Sequence, residues 1–150
     1  MANEQGLSIL SFDGARLAFP LSEAVSIRRS TELDETHKIP LAVGSVIHAD
    51  RLWPVFGLNA NYQPLASLTA GTIYCVCLSA DNGQTGVALA CETVNTISLT
   101  DDVMPPEPLP TCMQRAATPL QQLFRQGEQL VPISTAPALA AYLRSLVLTE

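Results

Sequence analysis

The sequence predicts a mainly β fold, a sandwich or a barrel, that ends in a single helix. Apolar residues recur with a period of two along most of the chain, and about nine short strands follow one another at spacings of roughly 8–12 residues. A helical spacing of apolar residues is convincing only near the C-terminus. The 150 residues suit one domain, and a hydrophobic content of 47% is ordinary for a packed core.

The charge balance limits the classes of partner. The chain has 8 basic and 14 acidic residues, for a net charge of −6, and only 15% of its residues are charged. A coiled coil or a disordered chain carries more charge than this. Nucleic acids and anionic membrane surfaces need clustered lysines and arginines, so we expect neither of them as a partner.

The N-terminus and the cysteines predict a cytoplasmic protein. Residues 1–6 lack the basic and apolar regions of a signal peptide, and we expect them to be flexible. No stretch approaches the ~20 apolar residues of a membrane span, so no membrane insertion is expected. A reducing compartment then keeps the four cysteines as thiols.

The first element is a predicted hairpin. Leu7–Phe12 forms its first strand, Asp13-Gly14 is a strong turn signal, and Arg16–Phe19 runs back until Pro20 ends it. Ser22 then either caps a short helix or begins an irregular strand through Ala24, Val25 and Ile27. These two alternatives remain open from the sequence.

The remaining strands follow from the same alternation and from turn residues. They are Ala42–His48, Arg51–Phe56, Thr72–Leu78, Gly86–Cys91, Val94–Leu99, Leu120–Phe124 and Gln129–Ile133. The turn between the first two of these strands is Ala49-Asp50. Pro54 predicts that Arg51–Phe56 is an edge strand or contains a bulge. Loops are expected at Ser30–Lys38, at Asn59–Leu68, at Ala80–Gly83 and through the prolines from Pro105 to Pro110.

One helix is predicted from about Pro137 to Leu146. Ser134 or Thr135 can cap it, and Pro137 suits its first turn. Its apolar stripe, at the spacing i, i+3, i+4, i+7, consists of Leu139, Tyr142, Leu143 and Leu146.

Three groups of side chains suggest chemistry. Cys75 and Cys77 lie on one face of a strand, but their spacing is not that of a zinc site, so we expect buried thiols, no metal and no cofactor. His48 could form a catalytic pair with Asp50, although no nucleophile motif accompanies it. The aromatic residues near the second hairpin either anchor a partner or fill the core; they are Trp53, Phe56 and Tyr62.

Three segments together resemble the CheW-like domain of bacterial chemotaxis coupling proteins. The first contains Ile39-Pro40, Gly44-Ser45-Val46-Ile47 and Pro54-Val55-Phe56-Gly57-Leu58; the second runs from Gly86 to Leu99; the third is Gly127–Ile133 with the terminal helix. The resemblance implies one domain over residues 1–150, with two small packed five-stranded-type β-barrels and a C-terminal helix. It also implies a non-enzymatic adaptor that couples a chemoreceptor-like protein to a histidine kinase.

The chain departs from the family at its contact turn. Ile47-His48-Ala49-Asp50 stands where the family has Asn-Leu-Arg-Gly, so that Ala49 replaces the arginine and Arg51 is the nearest cation. The predicted partner-binding residues are Val46, Ile47, His48, Ala49, Asp50, Arg51 and Trp53. The alternative hypothesis is a small β-barrel enzyme or ligand carrier that uses the His48–Asp50–Arg51 corner.

Overall fold

Two curled β-sheets and one helix make up the computed structural model, which describes residues 6–36, 39–79, 86–98, 107–109, 119–126 and 129–148. The strands are β1 Gly6–Phe12, β2 Ala15–Pro20, β3 Ala24–Arg29, β4 Gly44–His48, β5 Arg51–Phe56, β6 Tyr74–Leu78, β7 Val87–Cys91, β8 Thr93–Ser98, β9 Glu107–Pro108, β10 Gln122–Gln126 and β11 Gln129–Ile133. Helix α1 is Ala136–Leu148, and two short 3-10 helices are Leu21–Glu23 and Ser30–Glu32.

The strand order defines two barrels. The first sheet has the order β8-β1-β2-β11-β10-β9, and the second has the order β3-β6-β7-β5-β4. Neighbours are antiparallel except for short parallel contacts between β11 and β2 and between β5 and β7. The prediction of a mainly β fold with two packed barrels and a C-terminal helix is therefore confirmed, but the first sheet has six described strands where a five-stranded type was expected.

The first hairpin turns as its sequence predicts. Asp13 and Gly14 have φ angles of 50° and 79°, the positive values that a tight turn between twisted antiparallel strands requires. The Asp13 carboxylate also accepts a 2.9 Å hydrogen bond from the Ala60 amide. This contact fixes the turn against the loop that follows β5.

The structure corrects or resolves three local predictions. Gly6 was expected in a flexible N-terminal segment, but it belongs to β1 and pairs with Ser98. Residues 1–5 lie outside the described part of the chain. The alternatives at Ser22 both occur in succession, because a 3-10 helix leads directly into the bulged strand β3. Within the predicted acidic loop, Ser30–Glu32 is helical and Asp34 pairs with Ser45. His37 and Lys38 lie outside the described residues.

Two proline predictions are also only partly right. Strand β5 is interior, between β4 and β7, but its pairing with β7 is restricted to Val55 and Phe56. Pro54 has no amide hydrogen, but it precedes the two residues that pair with β7. The pairing with β7 therefore loses no hydrogen bond at Pro54. Pro108 was expected in an irregular loop, yet it pairs with Gln122 in β9. The other three prolines of that segment, and the predicted hairpin loop at residues 80–83, are outside the described residues.

The hydrophobic core has three parts. The largest lies where the two sheets and the helix meet, and it includes Leu10, Leu17, Phe19, Val76, Leu78, Leu89, Leu139 and Leu143. A second part fills the second barrel, with Val46, Trp53, Val55, Cys75 and Cys77 among its members. The third lies on the first sheet, with Leu7, Ile9, Phe124 and Val131 among its members.

Both barrels help to position helix α1. Thr135 accepts a 3.1 Å hydrogen bond from the Ala138 amide, which confirms it as a cap. Glu23, at the entrance to the second barrel, accepts a 2.6 Å bond from the Ala136 amide. The predicted stripe is buried at Leu139, Tyr142 and Leu143. Among the described helices, none is long and apolar enough to cross a membrane.

Candidate protein-interaction site

The β4–β5 hairpin carries the predicted site, and its turn is tight. Ile47 lies opposite Leu52, and His48 lies opposite Arg51, so Ala49 and Asp50 alone make the turn. Their φ angles are 52° and 61°. This left-handed region favours glycine or asparagine, and it costs a residue such as alanine of order 1 kcal/mol. The turn is therefore a strained conformation that its surroundings must maintain.

The two faces of the hairpin have opposite environments. Ile47 is 62% exposed and Leu52 is 50% exposed, so this cross-strand pair forms an apolar patch on the outer face. Val46 and Trp53, the next pair along the ladder, are 1% and 3% exposed and point into the second barrel. The alternation of side chains along a strand accounts for this difference.

The seven predicted site residues therefore divide into two groups. Ile47, Ala49, Asp50 and Arg51 are exposed, and His48 is half-buried. Val46 and Trp53 belong to the core of the barrel, where their side chains cannot reach a partner. They pack inside the barrel, beneath the exposed residues of the hairpin. Leu52 was missed, although its position opposite Ile47 follows from the predicted turn.

His48 is surrounded by groups from two strands. Arg28 of β3 donates a 3.4 Å hydrogen bond through Nη2 to Nδ1 of His48. The His48 and Trp53 rings meet edge to face, with their centroids 5.6 Å apart. The Trp53 indole also donates a 3.1 Å bond to the carbonyl oxygen of His48. The imidazole thus joins the hairpin to strand β3.

Strands β3 and β4 are the two edges of the second sheet, and contacts between these edges close the barrel. Arg28 also lies 3.7 Å from Glu32, whose other carboxylate oxygen accepts the Arg29 amide hydrogen at 2.9 Å. Backbone bonds of 2.8 and 2.9 Å between Asp34 and Ser45 join the same edges further along.

Strand β3 also has an exposed outer face. Ile27 is 54% exposed, and Arg29 is exposed on the same face of the strand. Sequence reasoning did not identify Ile27, Arg28 or Arg29 as site residues, because the sequence does not show that β3 and β4, the two edge strands of the sheet, come together. The alternation of Val25, Ile27 and Arg29 was the available signal.

The enzyme hypothesis finds little support in this geometry. Nδ1 of His48 accepts a hydrogen bond from Arg28, whereas the proposed catalytic partner Asp50 is exposed on the turn. A small, partly open pocket lies elsewhere, beside the first hairpin, with Phe12, Asp13, Leu58, Leu65 and Glu92 in its lining. None of the residues lining this pocket belongs to the His48–Asp50–Arg51 corner.

The cysteines described in the structure are buried thiols, as expected. Burial raises the pKa of Cys75 to about 12, that of Cys77 to about 11 and that of Cys91 to about 12. Thiolates are the metal ligands and nucleophiles, so these three groups are poorly suited to either role. Within the described ranges no three histidine, cysteine or acidic side chains are grouped closely enough to hold a metal ion. Cys112 lies outside those ranges.

The other two aromatic candidates belong to the core. Phe56 is 3% exposed. Tyr62 packs edge to face on Phe12 at 6.1 Å and donates a 3.0 Å hydrogen bond to the Arg16 carbonyl. Neither side chain is an anchor for a partner in this conformation.

Two packed barrels with a C-terminal helix are the architecture of the CheW-like fold, and comparison with solved structures supports this assignment. The scaffolding protein TtCheW from Thermoanaerobacter tengcongensis has a similar structure, with a TM-score of 0.66 over 88% of this chain and 89% of that chain. The two sequences are 11% identical, so the likeness is one of fold. No protein-family model and no curated protein matches the sequence.

Proposed function

We propose that this protein is a non-enzymatic signalling adaptor of the CheW type. In this role it joins a chemoreceptor-like protein to a histidine kinase, or to a related regulatory array, through protein–protein contacts. The similarity of its fold to a scaffolding protein supports the class. The surface of the β4–β5 hairpin supports the mode of action.

The exposed pair Ile47 and Leu52 is the observation that carries this proposal. Two large aliphatic side chains lie directly opposite each other, each at least half exposed, on a hairpin whose inward-facing Val46 and Trp53 are buried. Burial of the exposed half of such a side chain contributes about 1 kcal/mol to binding. An apolar centre with charged neighbours is the usual arrangement of a protein interface.

Arg51 and Asp50 supply the charged neighbours. Both are exposed beside the apolar pair. The guanidinium of Arg51 offers a planar fork of donors that matches a carboxylate on a partner. Arg51 is therefore the cation that serves in place of the arginine expected two positions earlier.

Binding to defined partners tests the proposal. The purified chain is titrated with the histidine kinase, and with the chemoreceptor-like protein, from the organism that encodes it. Ile47→Asp should weaken binding about tenfold or more, because it places a charge in the apolar centre. The matched control is Leu130→Asp, since Leu130 is 52% exposed on the first barrel.

Two outcomes contradict the proposal. The first is a wild-type chain that binds neither the histidine kinase nor the receptor-like protein. The second is equal binding by the Ile47→Asp and Leu130→Asp variants, which would place the contact away from this hairpin.

A further inference from the structure

We propose that the contact between Arg28 and His48 is a proton-operated latch on the β4–β5 turn. While His48 is neutral, the contact holds the turn against β3. Protonation of His48 breaks the contact and loosens the turn. The consequence for partner binding rests on the adaptor function proposed above, whereas the latch itself is a property of the free protein.

The direction of the hydrogen bond requires a neutral imidazole. A guanidinium has donors only, so Nδ1 of His48 must offer its lone pair to Arg28, and the ring proton must be on Nε2. Protonation of Nδ1 removes this acceptor and places a second positive charge beside the guanidinium. Histidine is the side chain that ordinarily changes its charge between about pH 5 and 8.

When His48 is protonated, the groups around its imidazole favour loss of the hydrogen bond with Arg28 over a shifted contact between the same two side chains. Trp53 faces it from β5, Arg28 comes from β3, and the thiol of Cys77 on β6 lies in the field of the same arginine. Burial keeps that thiol neutral, since it raises the pKa of Cys77 to about 11. The charged groups on the two elements that carry the latch include Arg28, Arg29 and Glu32 from β3 and the helix after it, and Asp50 and Arg51 from the turn.

Arg28 has an alternative partner when His48 is charged. Its Nη1 already lies 3.7 Å from Glu32, so the guanidinium can keep this ion pair while it leaves the imidazole. Its Nε is buried and has no acceptor among the described residues. A buried donor without an acceptor makes the present position of the side chain costly, so Arg28 loses little when protonation of His48 removes the acceptor.

The turn responds because its conformation is strained. Ala49 and Asp50 both have positive φ, and such conformations persist only where neighbouring contacts maintain them. Release at His48 removes a contact directly adjacent to Ala49. Ile47, the centre of the apolar patch, lies on the other side of His48 and is displaced with it.

Trp53 reports on the latch without any partner. It is the only tryptophan of the chain, it is 3% exposed, and its ring lies against His48. Acrylamide quenching of its fluorescence therefore measures how well the hairpin is closed. We expect the quenching constant to rise roughly twofold between about pH 8 and pH 5.5 as the populations shift.

The two histidines of the chain provide a matched pair of variants. His48→Gln keeps an oxygen acceptor for Arg28 but does not titrate, so its quenching constant should stay low at both pH values. His37→Gln should show the same rise as the wild type. Arg28→Gln lacks the latch, so its quenching constant should be high at both pH values. Circular dichroism at each pH verifies that a variant is folded.

Each contrary result overturns the proposal. For the wild type, the contrary result is a quenching constant that does not change with pH. For the histidine variants, it is a quenching constant that still rises at low pH in His48→Gln or no longer rises in His37→Gln. For Arg28→Gln, it is a low quenching constant at about pH 8. If His48→Gln does not fold, Arg28→Gln provides the same test, because its quenching constant should not change with pH. A failed partner titration would not affect these results, and their failure would leave the adaptor proposal standing.

Discussion

The hydroxyl of Tyr142 in helix α1 donates a 2.6 Å hydrogen bond to the backbone carbonyl of Tyr62. Tyr62, in the loop after β5, has a positive φ of 60° and donates from its own hydroxyl to the carbonyl of Arg16 in β2. The two tyrosines therefore connect the helix, the loop of the second barrel and the first hairpin.

Tyr142→Phe should destabilise the protein by about 0.5–2 kcal/mol. The substitution keeps the ring in the core but leaves the half-buried carbonyl of Tyr62 without this donor. Urea denaturation measures the free energy of unfolding. An unchanged midpoint would mean that water replaces the hydroxyl at no cost.

Leu143→Ala should cost roughly 2–5 kcal/mol, because Leu143 is buried where the helix meets both sheets and its truncation leaves a cavity. The adjacent Arg144 is exposed, so Arg144→Ala is the matched control and should have little effect. Thermal and urea unfolding compare the two. Equal effects would show that the helix contributes little to the core.

Arg51→Ala should weaken binding to the partner by roughly 1–3 kcal/mol while the melting temperature changes little. Arg51→Lys should restore the affinity only in part, since an ammonium group lacks the planar fork of donors. Calorimetric titration of wild type and both variants provides the comparison. Unchanged affinity in the alanine variant would place the contact elsewhere on the hairpin.

The buried thiols predict a loss of stability in alkali. Burial raises the pKa of Cys75 and Cys91 to about 12 and that of Cys77 to about 11, whereas a thiol in the unfolded chain has a pKa of about 8.5. Above that pH the unfolded state binds fewer protons than the native state, so the free energy of unfolding falls as the pH rises from about 9 towards 11.

Urea denaturation at several pH values measures this fall, and Cys75→Ala should make it less steep. A fall of the same slope in the wild type and the variant would assign it to other groups. Under native conditions near neutral pH these three thiols should also react slowly with thiol reagents, and denaturation should restore their reactivity.

Local patterns were sufficient to predict most elements of this fold. The Asp13-Gly14 turn, the β10–β11 hairpin and the stripe of Leu139 and Leu143 are encoded by neighbouring residues, and the structure has all three, although β10 begins and ends two residues later than predicted. The pairing of Pro108 with Gln122 was missed because a two-residue strand depends on its partner rather than on its own sequence.

The site was predicted less completely for a related reason. The turn Ile47–Arg51 was found from the sequence, but the pattern did not separate outward Ile47 from inward Val46, because both are apolar. The contact of Arg28 with His48 joins residues from opposite edges of a sheet. Such a contact becomes visible only when the barrel closes.

The order of strands along the chain has a consequence for synthesis. The second barrel is one continuous stretch, from β3 to β7, whereas the first barrel combines β1 and β2 with β8 to β11. During translation the second barrel can form while β1 and β2 still await their partners. Until Ile133 has left the ribosome to pair with Ala18, the first hairpin exposes apolar side chains that the finished protein buries. This interval is when the nascent chain most needs protection from aggregation.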